Sequence, residues 1–68
     1  MTTVLKTIEI MGESSQSWEA AVQDVVSEAA KTVKGIKSVW VKDLSAEVGG
    51  DGKLKAYRVN CKITFEVK

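Results

Sequence analysis

The sequence predicts an α+β domain in which one helix lies on a three-stranded antiparallel sheet, in the order strand, helix, strand, strand. Three observations carry this prediction. Segments near Val4–Met11 and Leu54–Val67 alternate residue types with the period of two expected of a strand that buries one face. Between them Trp18, Val22, Val25, Ala29 and Val33 recur at three- and four-residue spacing, the signature of a helix with one apolar stripe. The run Gly49, Gly50, Asp51, Gly52 marks a tight reversal between the last two strands, because glycine takes positive φ at no steric cost.

Taken in order, the first strand sets Ile8 and Ile10 against Thr7 and Glu9, and Gly12 is expected to end it. Ser14, Ser15 and Ser17 offer hydroxyls to the first free N–H groups of a helix beginning near 15–17, and Glu19 suits the positive end of its dipole. Lys31, Lys34 and a terminating Gly35 place the other end about five turns on. Ser38, Val39, Trp40, Val41 and Lys42 then favour a strand that can continue through Leu44 to Val48. In the return strand Tyr57, Val59, Cys61, Ile63, Phe65 and Val67 alternate with Arg58, Asn60, Lys62, Thr64 and Glu66. The whole chain, 1–68, reads as a single domain.

A 68-residue monomer buries only about 60% of the surface its unfolded chain exposes, so such a domain ordinarily needs a disulfide, a metal or oligomerisation. One cysteine and no histidine exclude an intrachain disulfide and the usual zinc and iron ligand sets. Oligomerisation is left, and a homo-oligomer is expected. Ten basic and nine acidic residues give no electrostatic case for nucleic acid or an anionic membrane as partner. The N-terminal stretch reads as neither signal peptide nor membrane span, which makes a cytoplasmic location the default expectation.

If Tyr57, Val59, Cys61, Ile63 and Phe65 meet the helix, the opposite sheet face carries Ser38, Trp40, Arg58, Asn60 and Lys62 and has nothing over it. A tryptophan there calls for another subunit or a stacked ligand. Arg58 has the planar donor fork that holds a phosphate, a carboxylate or a ligand carbonyl, or else pairs with a carboxylate across a subunit contact. Glu13, Glu19 and Glu28 are either a solvated face or candidates to gather around a symmetry axis and hold a divalent cation through oxygen. Cys61 points to the helix side as a small buried hydrophobe. No nucleophile paired with a base and no phosphate loop between strand and helix are found, so no enzymatic turnover is expected.

The stretches IEIMGESSQSWEAAVQDVVSEAAKTV and AYRVNCKITFEV, with this element order, resemble the dodecin family along nearly the whole chain. The similarity rests on Gly12 to Ser14, Ser17 to Glu19, Lys31 to Thr32 and Tyr57 to Phe65. The resemblance implies a hollow homododecamer that stores or scavenges a flavin, FMN or riboflavin, without turning it over. It also identifies two departures. The position of the family's flavin-stacking tryptophan is Ser38, and that of the glutamine contacting the flavin edge is Arg58. Trp40, two residues on, shares a face with Ser38 and offers a displaced platform, and Asn60 on the same face is a further candidate for the ligand. Some dodecin-like proteins lack the same tryptophan and glutamine and resemble cation binders, so a cation-binding or purely structural shell is the alternative.

Overall fold

A computed structural model describes residues 2–68. It contains strand β1 (Leu5–Ser14), helix α1 (Trp18–Ala29), strand β2 (Ile36–Val48) and strand β3 (Leu54–Glu66). The sheet order is β1-β3-β2 with both pairings antiparallel, so β3 is central and β1 and β2 are edges. The predicted fold class is the one observed.

The sheet holds its register through alternation. On one face Ile8, Ile63 and Val39 lie in a row across the three strands, as do Ile10, Cys61 and Val41. Val59, Cys61 and Ile63 are fully buried there beneath Ala21, Val25 and Ala29, which recur every four residues along α1. Small residues on the helix let its axis come close to the sheet. The approach is tightest at Gly12, where an added Cβ would overlap Val25 Cγ2 and stand 3.4 Å from the Ala21 carbonyl. Gly12 therefore does not end β1 as expected. It lies inside the strand, opposite Val59, as the place where the helix crosses it.

The helix is also shorter than its apolar pattern predicts, with 12 residues in place of five turns. Ser17 caps its start, extended at φ −168 and accepting the Ala20 N–H on Oγ at 3.0 Å. At the other end the Lys31 and Thr32 N–H groups turn to carbonyls three residues back, which tightens the last turn and closes the helix before Val33. Gly35, at φ +75, is not the helix stop but the entry to β2, where its carbonyl accepts the Glu66 N–H at 3.0 Å.

A 12-residue helix is about 18 Å long, whereas strands of 13 residues span about 43 Å. The β2–β3 hairpin consequently projects past the helix as an arm. It closes through Gly52 at φ +81 and a 2.8 Å bond from the Gly49 N–H to the Lys53 carbonyl. The molecule measures 55 × 20 × 13 Å, with a radius of gyration of 14.2 Å against about 11 Å for a compact chain of this length. Its accessible surface, 4959 Å², exceeds by about 750 Å² the roughly 4,200 Å² of a compact 7.4 kDa monomer. No helix among the described residues is long and apolar enough to cross a membrane.

Candidate functional site: the uncovered sheet face

The face of the sheet away from α1 has no protein layer over it. The register builds it in rows across β1, β3 and β2: Thr7, Thr64 and Ser38; then Glu9, Lys62 and Trp40; then Met11, Asn60 and Asp43; then Glu13, Arg58 and Ser45. A β-bulge between Val41 and Asp43 leaves Lys42 unpaired and keeps Asp43 and Ser45 on this face. All four residues predicted for the site, Ser38, Trp40, Arg58 and Asn60, lie on it.

They do not converge on one point within the chain. Ser38 and Trp40 are neighbours, but the row of Arg58 lies about 13 Å from that of Trp40 and about 20 Å from that of Ser38, at 3.3 Å per residue along β3. Trp40 is 60% exposed and Met11 64%. Lys62 sets its ammonium 5.7 Å from the centre of the Trp40 ring, a cation–π contact.

Arg58 is already engaged. Its Nε and Nη2 both donate to Glu13 Oε1, at 3.1 and 2.7 Å, joining cross-strand neighbours of one chain and needing no second subunit. This pair, with Met11 and Gly12, walls an open hollow of about 290 Å³.

A second ion pair crosses the sheet, with Lys42 Nζ donating to Glu9 Oε2 at 3.3 Å. Since β3 lies between β1 and β2, the lysine stem passes over the central strand. The Asn60 amide and the Lys42 ammonium hold the Glu9 carboxyl below the ordinary carboxylate range. Asn60 Oδ1 is buried without a hydrogen-bond partner among the described residues. Sequence reading placed Lys62 on this face but missed Glu9, Lys42 and Met11 as its neighbours, because their positions follow from strand order and the bulge.

The carboxylates proposed for a cation separate. Glu13 is held by Arg58 and lines a hollow at the β1 edge with Asp24 and Glu28, while Glu19 stands in the first turn of α1. Glu28 is paired with Lys31 at 3.0 Å. Among the described residues no group of three or more His, Cys, Asp or Glu side chains is placed to hold a metal ion. Cys61 is fully buried and burial pushes its thiol pKa up, so it packs as a small hydrophobe.

On the helix side a second open region borders β2, since α1 packs chiefly on β1 and β3. Trp18, Val22, Val41 and Leu44 line a trough there of about 510 Å³, with Leu44 59% exposed. Trp18 anchors its wall by donating Nε1–H to the Ser45 carbonyl at 2.9 Å and meeting Tyr57 edge to face at 4.8 Å.

These features define a class: a small β-α-β-β domain with a minimal core, a projecting hairpin and two uncovered faces. The sequence matches the Dodecin family model over residues 4–68. It is 32% identical to the calcium dodecin of Mycobacterium tuberculosis over 66 residues, which is 97% of this chain and 92% of that protein. It is 31% identical to the dodecin of Thermus thermophilus over 68 residues, covering 100% of this chain and 97% of that one. A crystal structure of a T. thermophilus dodecin variant superposes with a TM-score of 0.91 at 30% identity, over 98% of each chain. The chain belongs to the dodecin family.

Proposed function

We propose that this protein is a binding and storage module that works as a homo-oligomer, in the dodecin manner a hollow dodecamer, and holds a planar aromatic ligand of the flavin type on the uncovered sheet face. Trp40 carries this reading: a 60% exposed indole on a face with no layer over it. Ser38 lies beside it at the position where the family resemblance places a stacking tryptophan. The excess surface of about 750 Å² is close to the roughly 800 Å² per partner of a standard protein interface, which supports association. Within one chain Arg58 lies too far from Trp40 to share a small ligand with it, so a flavin touching both would sit between subunits. The role is binding and not turnover, because the face offers donors, acceptors and a ring but no nucleophile with a base.

A cation-binding shell is the second reading. It is favoured by Ser38 in place of the stacking ring and by similarity to a calcium dodecin. It would require carboxylates such as Glu13 and Glu19 from several chains.

Titrating FMN and riboflavin with the assembled protein and following flavin fluorescence separates the two. Quenching with saturation supports the flavin reading. No quenching, with thermal stability rising on addition of calcium, supports the cation reading. Replacing Ser38 by Trp should tighten flavin binding about ten- to hundredfold, the 1–3 kcal/mol of a stacked ring. A correctly assembled Ser38→Trp variant that leaves flavin fluorescence untouched would end the flavin reading.

A further inference from the structure

The cation that meets a ligand's charge on the Trp40 face is a different one from that which the sequence suggests. Arg58 is spent on Glu13, and Lys42 on Glu9. Lys62 belongs to no ion pair among the described residues, and it lies against the ring proposed for stacking. The charged groups around it are Glu9, its cross-strand neighbour, Lys42, which is paired with Glu9, and Asp43 in the next row of the same face. Lys62 is therefore the cation on this part of the sheet that no ion pair holds, and the one in contact with the Trp40 ring. Ser38 and Thr64 form the next row and place two hydroxyls beside the same ring.

We propose that Lys62 makes the Trp40 site selective for planar aromatic ligands that carry a negative group, a phosphate or carboxylate, over neutral ones. This rests on the reading that Trp40 stacks a planar ligand. A neutral ring stacking on Trp40 must compete with the ammonium already over the indole. An anionic ligand lets Lys62 swing on its four-carbon stem from ring to anion, exchanging one favourable contact for another. The two ligand classes therefore feel the same lysine with opposite sign.

Riboflavin and FMN are matched probes, since they share the ring system and differ by one phosphate. For the assembled protein in low salt, FMN should bind about two- to fivefold tighter than riboflavin, the scale of an exposed ion pair, and the ratio should fall toward one as salt is raised. Lys62→Gln should weaken FMN by that factor and leave riboflavin unchanged or tighter. Lys53→Gln, which removes a charge in the hairpin arm, should keep the ratio of the unaltered protein.

Equal affinities in the unaltered protein, or a preference that survives Lys62→Gln, overturn the proposal while flavin binding stands. So does a fall of both affinities by one factor, which would give Lys62 only a packing role. If neither flavin quenches, the stacking reading itself fails and this selectivity with it.

Discussion

Replacing Leu44 tests whether the helix-side trough is where copies of the chain meet. Leu44 lies opposite Val59 on the helix side of β2, yet it is 59% exposed because α1 does not reach it. Fully burying a leucine side chain yields about 1.5–3 kcal/mol, so covering the exposed share of Leu44 contributes about 1–2 kcal/mol per contact. Leu44→Ala should therefore weaken each contact by roughly five- to thirtyfold in its dissociation constant. Leu44→Glu adds an unpaired carboxylate to an apolar contact, at a cost of several kcal/mol, and should disassemble the particle at micromolar concentration. Size-exclusion chromatography with light scattering reads the outcome. The unaltered protein is expected at twelve times 7.4 kDa, about 89 kDa. Leu44→Ala should lose mass on dilution while keeping its circular dichroism. A Leu44→Glu protein that holds the unaltered mass at every concentration would refute an interface through this trough.

Two further outcomes follow from the fold and the site. Gly12→Ala forces a methyl group into Val25 in a helix–strand contact with no slack, and should lower stability in urea by about 1–3 kcal/mol; an unchanged midpoint would show that the helix can move away. Glu9 favours its ionised form in the folded chain, so the stability it contributes is complete above its ordinary value of 4.5 and drains as pH falls through the lower folded value. NMR titration of the Glu9 carboxyl should show that depressed midpoint, and Lys42→Met should move it upward; a Glu9 carboxyl that titrates at its ordinary value in the unaltered protein would refute the cross-sheet bridge.

The legible part of the fold was the part set by local periodicity. Alternation from Tyr57 to Phe65 identified Val59, Cys61 and Ile63 as the buried side of β3, and Ser38 and Trp40 as residues of the opposite face. What escaped depended on partners distant in the chain. Gly12 reads locally as a strand breaker, and only the crossing helix explains a glycine inside β1. Val33 continues the apolar spacing of α1, but the bonds of Lys31 and Thr32 to carbonyls three residues back close the helix first. Arg58 was read as free for a ligand or a second subunit. Antiparallel pairing of β1 with β3 puts Glu13 directly beside it, and that pairing is not written in either segment alone.

The residual needs of the uncovered face bear on what covers it. Glu9 and Glu13 are both answered within the chain, by Lys42 and Arg58. The groups of this face that no ion pair or protein layer answers are of three chemical kinds: the apolar surfaces of Trp40 and Met11, the charge of Lys62, and the carboxylate of Asp43. A second protein surface packed for hydrophobicity alone would satisfy the first kind and leave the other two desolvated, which is unfavourable for both an unpaired carboxylate and an unpaired ammonium. A planar ligand with an N–H at its edge and an anionic tail supplies one partner of each kind. On the proposed reading the face meets a neighbouring subunit around such a ligand, with the ring on Trp40 and the anion drawn to Lys62.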